Sequence, residues 1–150
     1  MTRLENDDIV VIRRRMVATR EEVFKEWTNP EGMAAWMCPD GIVSAAVQLD
    51  ARVGGALRIV MRTETEAFEH WGEFTIVDPP AKLAFTWCAA ATDFQPSLVT
   101  VELLEAENKH CDLILTHERL RRPEIRNQYR GGWEGIVTRL QARLAVEQRG

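Results

Sequence analysis

From Gly41 to Thr116 apolar residues recur at every second position in short runs, and from Pro123 onward they recur at every third or fourth position instead. Alternation with period two gives strands with one apolar face, and the helical period gives one long amphipathic helix. Turn residues divide the alternating region into strands near 42–49, 55–63, 68–78, 82–88, 97–106 and 110–118. Gly54-Gly55 supplies a positive-φ turn, Pro79-Pro80 cannot continue a ladder, and Glu107-Asn108-Lys109 makes a polar hairpin. Leu57, Ile59 and Met61 then share a face, as do Leu83, Phe85 and Trp87, Val99, Val101 and Leu103, and Leu113, Leu115 and His117. Arg58, Arg62, Lys82, Glu102 and Asp112 fall on the other face, which predicts an antiparallel sheet solvated on its convex side.

The helical segment, Pro123 to Val146, presents Ile125, Tyr129, Trp133, Ile136, Val137, Leu140 and Leu144 in about six turns. It also carries Gly131, Gly132 and Gly135, each of which weakens a helix interior by about 1 kcal/mol relative to alanine. Either the helix approaches another backbone closely there, or those positions face a space that has to stay open.

The first forty residues complete the architecture. Ile9 to Val17 is rich in β-branched residues and reads as a strand, half-solvated because of Arg13-Arg14-Arg15 and therefore at an edge or on an outer face. Thr19-Arg20-Glu21-Glu22 has the form of a capping box, so a helix begins near Arg20 with Val23, Phe24 and Trp27 on its apolar side. Asn29-Pro30 stops that helix and starts a second short one through Met33 to Trp36. No repeat or linker-like run divides the chain. The expectation is an α+β fold: residues 1–8 a disordered tail and 9–150 one domain, with about seven strands curved around a long C-terminal helix and two short helices between the first two strands.

Charge and cysteine content narrow the function. A net charge of −4 and a pI near 5.5 leave no basic surplus for nucleic acid or acidic membranes. The start, MTRLENDD, lacks the basic and apolar regions of a signal peptide, and no segment approaches the length of a membrane span, so a cytoplasmic location is expected. Cys38, Cys88 and Cys111 are odd in number and lack CxxC spacing, which fits reduced thiols.

The residues also carry a resemblance. His70-Trp71-Gly72-Glu73-Phe74, followed by Val77-Asp78-Pro79-Pro80 and Leu83-Ala84-Phe85-Thr86-Trp87, is similar to the signature of one branch of the START-like (SRPBCC) superfamily. That branch comprises bacterial proteins resembling the C-terminal domain of the activator of the ninety-kilodalton heat-shock-protein ATPase. Val23 to Glu31 leading to Trp36, Gly54 to Arg58, Leu115-Thr116-His117 and Gly132 to Ile136 extend the match from about Val10 to Leu144. The resemblance implies a helix-grip fold with a cavity between sheet and helix. It leaves the use of that cavity open, because lipid carriers, polyketide cyclases, hormone receptors and chaperone partners share the scaffold. The sequence has no counterpart of the separate N-terminal region that eukaryotic activators use on their chaperone, which points away from chaperone stimulation.

Five tryptophans are present, and the resemblance places Trp36, Trp71, Trp87 and Trp133 at the cavity or its rim. Rings with one polar edge suit an apolar site that needs a few hydrogen bonds. The expected ligand site has Met61, Phe85, Trp87, Tyr129 and Trp133 as walls, Trp36 near the mouth and His117 as polar anchor. The expected occupant is an apolar small molecule or lipid-like compound, bound without catalysis and without a cofactor. A cyclase- or hydratase-like enzyme using His117 as acid-base is a second reading, and a protein-interaction module with a chaperone as partner is a third; a homodimer also remains open.

His70, His110, His117 and the cysteines lack the close spacing of a zinc site, so no metal is expected. Ser44 and Ser97 lie at strand starts rather than on the strained turn of a nucleophile elbow, and no phosphate-cradling glycine loop is present. The basic runs Arg13 to Arg15 and Arg119, Arg121 and Arg122 read as solvated strand ends, and Arg62 and Glu73 as a cross-strand pair.

Overall fold

The computed structural model describes residues 8–92 and 94–149, with the side chains of 147–149 outside the description. The expected tail falls outside the described residues except for Asp8, whose carbonyl accepts from Leu120 N. The elements run β1 (Val10–Met16), α1 (Arg20–Thr28), α2 (Pro30–Trp36), β2 (Ser44–Leu49), β3 (Ala56–Arg62), β4 (Ala67–Asp78) and β5 (Lys82–Ala89). A short turn of 3-10 helix (Ala90–Thr92), β6 (Ser97–Glu105), β7 (Cys111–Glu118) and α3 (Pro123–Arg149) follow. The seven strands form one antiparallel sheet in the order β1-β7-β6-β5-β4-β3-β2, curled into a half-barrel around α3. Among the described residues no helix is long and apolar enough to cross a membrane.

Local chemistry sets the helix starts. Thr19 Oγ1 accepts from Glu22 N while the Glu22 carboxylate accepts from Thr19 N, so the capping box closes in both directions. Asn29 ends α1 and caps α2, its side-chain oxygen accepting from the N–H groups of Glu31 and Gly32 with Pro30 in the first turn.

The sheet's concave side is apolar and continuous. Leu57, Ile59 and Met61, Leu83, Phe85 and Trp87, Val99, Val101 and Leu103, and Leu113 and Leu115 are all buried, and α3 lays Trp133, Ile136, Val137, Leu140 and Leu144 against the same core. Gly72 marks a tight passage in the sheet: a Cβ there would sit 1.8 Å from the carbonyl oxygen of Thr86 on β5. Just beyond, the β4–β5 register shifts between Phe74 and Ile76, a bulge that bends the strand.

Three sequence expectations change in detail. β1 is an edge strand as anticipated, but Arg14 is not simply solvated. It alternates onto the same side as Ile12 and Met16, and its guanidinium donates to Glu134, Thr138 and Gln141 on α3. Arg62 and Glu73 do not pair, because the register sets Arg62 opposite Ala67 and Glu73 opposite Ala56; the ion pair across β3 and β4 is Arg58 with Glu69. The last helix also runs three residues beyond Val146, to Arg149.

Candidate functional site

Between the open end of the sheet and the first half of α3 lies a cavity of about 780 Å³. Met61 on β3, Phe68, His70 and Trp71 on β4, Trp87 on β5, and Tyr129, Trp133 and Ile136 on α3 line it, with Ile42 and the 3-10 turn closing its sides. The volume falls within the range of small-molecule sites, and the lining is predominantly apolar and aromatic.

The glycines of α3 explain themselves here. Gly131 and Gly132 line the cavity, and a Cβ on either would meet no atom within 4 Å. Gly135 lies beside the loop after α2, its Cβ position 3.9 Å from Pro39 Cα, an ordinary van der Waals distance that would accommodate a methyl group. Of the two explanations offered by the sequence, open space fits Gly131 and Gly132, and no glycine of α3 is forced by a close backbone approach.

Of the seven residues expected at the site, Met61, Trp87, Tyr129 and Trp133 line the cavity, whereas Trp36, Phe85 and His117 do not. Trp36 is 1% exposed, edge-on to Trp27 at 4.7 Å, and donates its indole N–H to Glu26 across 3.1 Å. Glu26 also accepts from Arg143 across 3.0 Å, which ties α1, α2 and the end of α3 together. This places Trp36 beneath the cavity rather than at its mouth. Phe85 is enclosed between Trp27, Phe74 and Trp87 and backs the wall that Trp87 forms.

His117 sits behind the same wall, with every polar position used. Trp133 Nε1 donates to Nδ1 across 3.0 Å, and Nε2 lies 2.7 Å from Ser97 Oγ. An indole N–H can only donate, so Nδ1 is the acceptor and the neutral ring carries its proton on Nε2. Nε2–H then donates to Ser97 Oγ, and the serine hydroxyl donates to Trp87 O across 3.0 Å. Burial pushes the His117 pKa down to about 3. An imidazole buried, neutral and bonded at both nitrogens braces Trp133 and Trp87; it has no lone pair free to take a substrate proton.

The polar groups that do face the cavity are different ones. Tyr129 Oη accepts from Trp87 Nε1 across 3.1 Å, and its own proton goes to no acceptor among the described residues. His70 packs against Trp87 at 5.0 Å between ring centroids; its Nδ1 is shut away from solvent without a partner, and Nε2 makes no hydrogen bond among the described residues. Burial lowers its pKa, against a smaller opposing pull from the backbone of Ile59 and Phe68. The sequence held a signal for His70, since alternation along β4 puts it on the side of buried Phe74.

Phe68, Trp71 and Phe94 form the rim at 42%, 41% and 58% exposure, with Trp71 and Phe94 stacked at 5.8 Å. Phe94 carried no periodic signal, because it lies in the loop after β5 with a left-handed backbone, φ 58°. Arg119, Arg121 and Arg122 flank a separate cavity of about 450 Å³ on the far side of the 3-10 turn and do not line the larger one. Cys38, Cys88 and Cys111 are all free thiols.

A half-barrel sheet gripping a long C-terminal helix, with an aromatic-lined cavity between them, defines a helix-grip domain of the START-like kind. Within that class, residues 17–145 match the model of the Activator of Hsp90 ATPase homolog 1-like protein family, and the chain belongs to that family. Solved structures agree in fold. A protein of Rhodobacter sphaeroides is 23% identical with a TM-score of 0.80, covering 93% of this chain and 94% of its own. An AHSA1 protein of Silicibacter pomeroyi is 25% identical with a TM-score of 0.77, covering 93% and 99%. An HSP90 activator of Plasmodium falciparum is 19% identical with a TM-score of 0.74, covering 92% and 96%. A comparison with curated proteins found no match.

Proposed function

We propose that this protein binds an apolar or amphipathic small molecule in the cavity between sheet and α3, without catalysis. The observation that carries the reading is the pair Gly131 and Gly132. Two helix-weakening residues stand side by side in the cavity lining, and a Cβ on either would meet only open space. Met61, Trp87, Tyr129 and Trp133 are the walls. Trp36, Phe85 and His117, which the sequence put in the site, hold those walls from behind. The locked His117 speaks against an acid-base role for it, and so against the enzyme that would depend on it.

The test uses Nile red, a neutral apolar dye whose emission brightens and shifts to the blue in apolar surroundings. Wild-type protein is expected to take it up. Gly132→Trp, which occludes the cavity, and Met61→Arg, which puts a charge in its wall, are expected to lose uptake while far-ultraviolet circular dichroism stays unchanged. Equal uptake by folded variants would remove the cavity from the function.

A chaperone partner is the second reading, supported by the family's description and by the activator from Plasmodium falciparum among the structural neighbours. It predicts stimulation of an Hsp90-type ATPase that Gly132→Trp leaves intact.

A further inference from the structure

We infer that the cavity selects a neutral, flat ring compound carrying a hydroxyl and a carbonyl-type oxygen, held by His70 and Tyr129, and that it rejects acyl chains with an acidic headgroup. The inference rests on the ligand-binding reading above and deepens it.

Three observations converge. First, the cavity lining includes two polar side chains with hydrogen-bonding capacity left over among the described residues, and both touch the Trp87 ring. Tyr129 accepts from Trp87 Nε1 and has its own proton to give. Accepting one hydrogen bond polarises the phenol and makes it the better donor to a ligand oxygen. His70 lies against Trp87 with its Nδ1 buried and without a partner among the described residues. A neutral imidazole has one donor and one acceptor nitrogen, and a ligand hydroxyl satisfies whichever faces it, since a hydroxyl does both. Buried polar groups without partners are costly, so a ligand that pairs them gains affinity and orientation together.

Second, the walls around those groups are aromatic. Trp87 and Trp133 lie 5.4 Å apart within the cavity, and the stacked pair Trp71 and Phe94 sits at the rim with Phe68. Large exposed rings at a cavity mouth are not needed for the core, and their free faces favour aromatic ligands that can stack on them.

Third, the electrostatics disfavour an anion. Among the described residues no lysine or arginine lines the cavity; its carboxylates are Asp40 and Glu69, each already matched by an arginine, Arg139 at 3.7 Å and Arg58. A carboxylate drawn into that lining would lose water and find no cation in exchange.

The test measures affinity at pH 6 by isothermal titration calorimetry for four probes: 2-hydroxyanthraquinone, 2-methoxyanthraquinone, anthraquinone-2-carboxylate and laurate. The hydroxy compound is expected to bind about fivefold more tightly than its methyl ether, as one hydrogen bond would give, and at least about tenfold more tightly than either acid. In His70→Phe the preference for hydroxy over methoxy should vanish; in Tyr129→Phe both should weaken about fivefold together. Either acid binding as tightly as the hydroxy compound overturns the inference, as does a hydroxy-to-methoxy ratio that His70→Phe leaves unchanged. If none of the four binds while Nile red still does, this inference falls alone; loss of Nile red as well takes the binding reading with it.

Discussion

Trp133 donates its indole N–H to Nδ1 of His117 across 3.0 Å, and that bond fixes where the imidazole keeps its proton. With Nδ1 occupied as an acceptor, the proton resides on Nε2 and passes a hydrogen bond to Ser97, which passes another to Trp87 O. The chain starts on α3 and ends on β5, so it fastens the helix to the sheet across the floor of the cavity. Two residues that line the cavity, Trp133 and Trp87, are thus held by one that does not.

Trp133→Phe keeps a ring in place but removes the one donor to Nδ1 among the described residues. A buried acceptor left without a partner costs about 1–3 kcal/mol, and the lost ring volume adds to that. Urea denaturation should show a fall of at least that size. A fall smaller than about 0.5 kcal/mol would mean the bond contributes nothing net.

The same burial makes stability depend on pH in a known direction. Unfolded His117 binds a proton near 6.5, whereas the folded protein holds it neutral down to about 3. Between those values the unfolded state carries the extra proton, so acid favours unfolding. The contribution is a loss of about 1.4 kcal/mol per pH unit as pH falls from 6 to 4, and His70, also lowered by burial, adds in the same sense. Denaturation curves at pH 6, 5 and 4 should show His117→Gln less sensitive to acid than wild type by about that slope. Parallel pH profiles would place the proton elsewhere.

How much of this was readable beforehand depended on whether the cause was local. The capping box at Thr19 and Glu22, the double role of Asn29, and the strand alternation from Leu57 to Leu115 all arise from neighbours within a few residues, and each appears in the structure. The apolar face of the sheet was equally legible. Depth along that face was not: Phe85 and Trp87 alternate identically, yet Phe85 is sealed by Trp27 and Phe74 while Trp87 reaches the cavity. His117 read as an anchor because alternation gives a side of the sheet and not the identity of the partners waiting there. Ser97 and Trp133, 20 and 16 residues away, decide its role.

Gly72 is demanded by backbone proximity. A methyl group there would lie 1.8 Å from Thr86 O and 2.7 Å from its carbon, both rigid backbone, so β4 and β5 would have to separate. Thr86 Oγ1 also accepts from Glu73 N across 2.9 Å, a bond that depends on the same approach. Gly72→Ala is expected to cost more than about 3 kcal/mol, or to prevent accumulation of folded protein altogether. A melting temperature within a few degrees of wild type would show that the strands part more easily than their ladder suggests.

Gly132 should behave in the opposite way, and the contrast tests whether the cavity is kept open at the helix's expense. Its Cβ would enter open space, so Gly132→Ala adds helix propensity without a clash and should raise stability by about 1 kcal/mol. A larger apolar side chain, as in Gly132→Leu, should keep most of that gain, because covering part of the apolar lining removes apolar surface from water. The same substitution should lower Nile red uptake in proportion to the volume filled. Stability rising while uptake falls is the signature of a residue retained for the cavity rather than for the fold. If Gly132→Ala instead destabilised the protein, the glycine would be serving the helix backbone, and the open space beside it would be a by-product of that.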